Sequence, residues 1–179
     1  RPPADCRVHV DGDAVDRLAA QLGGLEELQA FTFTGELFPA VDDPHAIEWF
    51  AAATLQQFGF WYEDDGAWAG PMIARIDGID RKGSDYLWAA YLRWHRRNRE
   101  AMSAAAQAEL AVNDWSALAA SDDGVDPFPG SHRYVALAND YGRSLLEIGA
   151  TAADLVAAAA ATTRPMRSLL TLLDHVGGY

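Results

Sequence analysis

The chain has 179 residues, half of them hydrophobic, which is enough for one domain with a sizeable core and excludes wholesale disorder. Fourteen basic against 26 acidic residues give a net charge of −12, which argues against duplex DNA and long RNA, partners that need phosphate neutralisation. A single cysteine, Cys6, excludes a disulfide framework within the chain and suits a reducing compartment such as the cytoplasm.

The first element is a helix in "DGDAVDRLAAQLGG", opened by Asp11 and Asp13 and stopped by Gly23 and Gly24, with Val15, Leu18, Ala19 and Leu22 as its buried stripe. "FTFTGEL" alternates from Phe31 to Thr34 and reads as a short extended piece. "DDPHAIEWFAAATLQQFGF" predicts a long helix with Asp43 as cap and Pro44 in the first turn. Its expected inner face is Ile47, Phe50, Ala51, Thr54, Leu55 and Phe58.

Next comes an aromatic-rich insert around 58–80, in which "DDG" and "IDG" are turn signals and "MIARI" alternates, so a small β-ribbon is expected. "SDYLWAAYLRWHRRNREAMSAAAQAEL" returns to helix, capped by Ser84, with Tyr86, Leu87, Ala90, Tyr91 and Trp94 inward and Arg93, Arg96, Arg97 and Glu100 outward. After a break at "SDDGVDPFPGS", three more helices are expected, over 131–149, 151–163 and 164–178. Thr151 caps the second with Asp154 three residues on, and Pro165 opens the third. The fold class is therefore mainly α with one small β insert, and no linker divides it. No apolar run is long and smooth enough to span a bilayer, and the five histidines lack metal-ligand spacing, so no membrane, no metal and no cofactor are expected.

Two stretches carry candidate chemistry. In "FGFWYEDDGAW", Phe58, Phe60 and Trp61 can form a slot for a planar heterocycle, where stacking contributes roughly 1–3 kcal/mol per base. The alternative is a helix end that tucks its rings into the core beside a solvated turn. In "RKGSDYLW", Lys82 and the helix start at Ser84 can meet an anion, with Asp85 in the first turn; the alternative is a plain capped helix. The run "RWHRRNRE" reads as a solvated face, or as the docking face of a helical adaptor. Seven of the fourteen basic residues lie between Arg75 and Arg99.

Four stretches together resemble the queuosine salvage proteins, the queuosine 5′-phosphate N-glycosidase family. "VHVDGDAVDRLAAQL" is similar to the family's opening piece and first helix. "FPAVDDPHAIEWFAAATLQQFGFW" resembles the helix that leads into its Asn-Phe-Ser-Phe-Trp motif. "KGSDYLWAAYLR" stands where the family has a Gly-Tyr-Trp-Ser-Leu helix start, and "HRYVALANDYGRSLLEIG" resembles its middle region. Gln57 replaces the family's asparagine, and Ser84 and Asp85 replace its Tyr-Trp pair. The resemblance implies a helical fold like that of the helix-hairpin-helix DNA glycosylases. It also implies hydrolysis of a C1′–N bond and a small nucleotide or nucleobase partner of the queuosine 5′-phosphate or queuine type. Phe58, Phe60 and Trp61 would then shape the base pocket. The family's catalytic aspartate sits in an Asp-Tyr-Arg motif further downstream. "NDYGRS" around Asp140 echoes it in an earlier helix, so the catalytic residue is expected beyond residue 179, in a missing C-terminal segment. The alternative within the same ancestry is a binding domain without catalysis.

Overall fold

The computed structural model describes residues 11–23, 35–58, 60–64, 67–128 and 130–177, and over 61–64 and 67–70 it describes the backbone. The chain forms two compact units, Arg1–Thr32 and Phe33–Tyr179. In the first, helix α1 (Gly12–Gly23) begins where Asp11 accepts the Ala14 amide at 3.1 Å, as expected of a capping carboxylate. The side chains of its expected stripe lie outside the described residues, as does the extended piece at Phe31–Thr34. Gly35, Glu36 and Leu37 form a turn.

The second unit is mainly helical with a small antiparallel insert, as the sequence predicts. Helix α2 (Ala46–Thr54) is shorter than expected and buries a different face. Trp49, Ala52 and Ala53 are enclosed, whereas Ile47 and Thr54 are exposed. Two side chains account for the early stop. The Thr54 hydroxyl turns back on the carbonyls of Phe50 and Ala51, at 2.6 and 3.0 Å, and Gln56 is drawn fully into the core. There the Gln56 amide donates to the Tyr134 carbonyl at 2.9 Å and accepts from the Tyr91 hydroxyl. A buried amide with both ends satisfied fixes the path that leaves the helix.

The insert is two hairpins. Strands β1 (Trp61–Asp64) and β2 (Ala67–Pro71) pair with a bulge at Tyr62/Glu63, and β3 (Ile73–Ile76) pairs with β4 (Ile79–Lys82) across the Asp77–Gly78 turn. The bend at Asp122 clamps that turn, its carboxylate accepting the Asp77 and Gly78 amides at 3.0 and 2.8 Å.

Helix α3 (Gly83–Arg97) starts at Gly83, and Lys82 holds the cap position with no side-chain cap bond, so Ser84 is not the cap the sequence suggests. The single long helix expected from Ser84 to Leu110 is broken at Asn98, whose side chain accepts the Glu100 amide at 3.1 Å and so competes with helix continuation. A 3-10 helix (Arg99–Met102), α4 (Ala104–Ala108) and α5 (Val112–Ala119) follow. The last was not anticipated. Its Trp115, Leu118 and Ala119 are buried at helical spacing.

Helices α6 (Ser131–Ile148), α7 (Ala152–Ala160) and α8 (Pro165–Leu173) close the unit, α8 ending four residues before Gly177. Thr151 and Asp154 form the expected capping box. Helix α6 packs on α4 so tightly that a Cβ on Gly142 would lie 2.3 Å from the Ala108 amide nitrogen and 2.5 Å from the Ala104 carbonyl oxygen. Among the described residues no helix is long and apolar enough to cross a membrane.

Candidate functional site

Tyr134, on α6, stands between two rings. Phe58 lies parallel to it at 4.6 Å and 4°, and Trp115 on its other face at 4.7 Å and 6°. The Tyr134 hydroxyl donates to the Phe58 carbonyl at 3.0 Å, which ties the chain leaving α2 to α6. Phe128 lies tilted against Tyr134 at 5.6 Å and edge-on to Tyr86 at 5.7 Å. Burial pushes the Tyr134 and Tyr86 hydroxyls up to about 12, with Asp126 adding to both, and burial also raises Tyr91. All three phenols stay neutral at ordinary pH and act as hydrogen-bond donors.

Phe58 and Phe60 are each half-buried, packed on this pile with part of their surface open. Phe60 contacts Phe128 at a centroid distance of 6.4 Å. Its ring also lies against Gly83, where an added Cβ would come within 3.2 Å of Phe60 Cγ. The backbone closes the same junction: Met72 donates to the Phe60 carbonyl at 2.6 Å and Gly83 to the Met72 carbonyl at 3.1 Å. Gly83 has φ +45°, so a side chain is disfavoured there on both counts. Two stretches more than twenty residues apart in sequence, "FGFW" and "RKGSDYLW", thereby meet. Phe60 sits on the N-terminus of a fifteen-residue helix, with exposed Lys82, half-buried Ser84 and exposed Asp85 around it. The Lys82 side chain makes no ion pair or hydrogen bond among the described residues. Trp61 is placed in β1, and its side chain lies outside the described residues. Five surface concavities lie elsewhere, none of them lined by Phe58, Phe60, Lys82, Ser84 or Asp85.

The basic segment is mostly committed to the fold. Arg81 pairs with Glu36 at 2.6 Å, Arg96 donates to the Gly35 carbonyl at 2.8 Å, and Arg75 to the Gly78 carbonyl at 2.7 Å. Arg93, expected to face outward, instead ties the carbonyls of Leu118 and Ala120 at 2.8 and 2.7 Å, and so holds the end of α5. Arg99 reaches Asp43 at 3.0 Å.

The sequence gives little sign of the His95–Asp43 contact. His95 is buried on the inner stripe of α3, and its Nε2 lies 3.0 Å from Asp43 Oδ2. The spacing of Leu87, Tyr91 and His95, one turn apart each, was the available signal for His95. For Asp43, burial acts to raise the carboxyl. Hydrogen bonds from the His45 amide and the His95 ring, with the charges of His95 and Arg99, outweigh it and hold the group below 3.8. Among the described residues no group of three His, Cys, Asp or Glu side chains could hold a metal ion.

No family model matches this chain, and no curated protein matches it.

Proposed function

We propose that the chain carries the base-holding site of a hydrolase that cleaves the N-glycosidic bond of queuosine 5′-phosphate or a related modified nucleotide, in the cytoplasm. One observation carries this reading: the half-open Phe60 ring rests on the N-terminus of α3, with exposed Lys82 at the cap position of that helix. A flat base stacks on an aromatic face, while the helix start and an ammonium suit a 5′-phosphate. Phe58 and Phe60, with Trp61, form the base side of the slot. Lys82 and Ser84 serve the phosphate side, and Asp85 contacts the base or ribose. The net charge of −12 favours a free nucleotide over a polynucleotide, since one local cation can hold one phosphate.

Bond cleavage needs a carboxylate to stabilise the oxocarbenium-like sugar and a water to attack C1′. Asp126, close to the ring pile, already accepts from the Phe128 amide at 2.9 Å and the Ser131 hydroxyl at 2.7 Å. That commitment favours, as second reading, a domain that binds the nucleotide without hydrolysing it. Incubation with queuosine 5′-phosphate, followed by mass spectrometry for free base, separates the two; release of base supports hydrolysis. Titration of queuosine 5′-phosphate and of bare queuosine into the wild type and Lys82→Ala tests the slot itself. Loss of affinity for the phosphorylated ligand alone supports it, and equal loss for both removes Lys82 from phosphate contact.

A further inference from the structure

Helix α8 packs on α7 and leaves Met166 and Leu170 at the surface, 70% and 62% exposed. Leu170 stands one turn on from both Met166 and Arg167, and Arg164 holds the cap position; both arginines are exposed. From Leu155 to Leu173 the chain has no aspartate or glutamate, in a protein of net charge −12. A face both apolar and basic is thus built into an acidic molecule, and contiguous exposed apolar side chains mark contact surfaces.

A surface of the matching kind lies where the β3–β4 hairpin meets the bend that clamps its turn. Ile73 and Val125, 63% and 58% exposed, line a cavity of about 530 Å³ together with Pro127. Its acidic residues are Asp122 and Asp123. Asp122 is spent on the Asp77 and Gly78 amides. Asp123 is exposed, and the bonds from the Ser121 hydroxyl and the Val125 amide both fall on its Oδ1. Arg75, the cation on this lining, is engaged by the Gly78 carbonyl at 2.7 Å and by Asp80 at 3.7 Å. The lining therefore offers carboxylate and apolar surface to an incoming arginine-bearing face.

We propose that the α8 face of one copy of this chain docks in the Ile73–Val125 cavity of a second copy. Met166 and Leu170 cover Ile73 and Val125, and Arg164 and Arg167 meet Asp123. The two surfaces differ and share no residue, so the contact is head-to-tail, and each pairing leaves one α8 face and one cavity open to a further copy. Four exposed apolar side chains and a few charges make a small interface of the weak, transient class. Copies are separate in dilute solution, where α8 stays wet, and associate as concentration rises.

The test is sedimentation velocity of the wild type from about 10 μM to about 1 mM, at roughly 150 mM salt. The average mass is expected to climb with concentration. Arg164→Gln/Arg167→Gln removes the basic half of one surface, and Val125→Lys places a like charge in the other. Each weakens self-association roughly tenfold or more, with circular dichroism unchanged because all three positions are exposed. Mixed together, the two variants regain one contact, the cavity of the glutamine variant with the α8 face of the lysine variant, so the mass rises and stops at two chains. Ile73→Lys takes the place of Val125→Lys if that variant does not fold. The proposal is overturned if the wild type remains a single chain throughout, which leaves the α8 face to another occupant, if either folded variant associates like the wild type, or if the mixture forms no pair.

Discussion

The ring pile at the end of α2 and the α7–α8 pair at the end of the chain are both rich in apolar residues, and they use them differently. Around Tyr134, Phe58 and Trp115 stack on its two faces, and buried polar groups reach partners across the fold: Gln56 with Tyr91 and the Tyr134 carbonyl, Tyr134 with the Phe58 carbonyl, and Tyr86 with the Ala119 carbonyl at 2.8 Å. In α8 no residue is buried, and Met166 and Leu170 are 70% and 62% exposed. Hydrophobic content therefore does not locate the core of this chain. What marks the core is apolar surface joined to hydrogen bonds that only one packing can satisfy.

Truncation at the pile is the most severe way to break that contrast. Tyr134→Ala removes two stacked faces and the hydrogen bond to Phe58, and should cost about 3–5 kcal/mol in urea unfolding. Gly142→Ala follows. The atoms that its methyl meets are α4 backbone, which yields less readily than a side chain, so the loss should be about 1–3 kcal/mol. Third is a pH effect. The Asp43 carboxyl is depressed in the fold, so its contribution is complete above the ordinary value of 3.8 and is lost as pH falls below it. Asp43→Asn should flatten the fall in stability below about pH 4 and lower stability at neutral pH, a difference that thermal melts across pH resolve. At the other end of the comparison, Leu170→Ser on α8 should change stability by less than about 0.5 kcal/mol, because the site is already wet. A large loss there would show that α8 is covered by something and would erase the distinction.

Where structure is set by neighbours in sequence, it was legible. Asp11 caps α1, Thr151 and Asp154 box α7, Pro165 opens α8, and the Asp77–Gly78 turn makes a hairpin. What escaped depended on partners far along the chain. The face of α2 rotated because Trp49 has Phe38, Phe50 and Trp88 around it, at ring distances of 5.9, 5.0 and 5.1 Å. The end of α2 came early because Gln56 is claimed by a residue 78 positions away. Asn98 ended a helix that its alanine-rich sequel made look continuous. At the candidate site, Phe58, Phe60, Lys82, Ser84 and Asp85 could be picked out as residue types. That Phe60 rests on Gly83 is a tertiary fact, since a glycine before a helix has many uses.

The letters of Asp140–Tyr141–Gly142–Arg143 have a plain origin in α6. Tyr141 is enclosed, Asp140 and Arg143 point outward, and the glycine stands where a neighbouring backbone leaves no room. A pattern search for a catalytic Asp-Tyr-Arg signature would light up on this stretch for reasons of helix contact alone. Comparisons of distant sequences should weight such a glycine as a spacing constraint between two rods, and the aspartate beside it as a bystander.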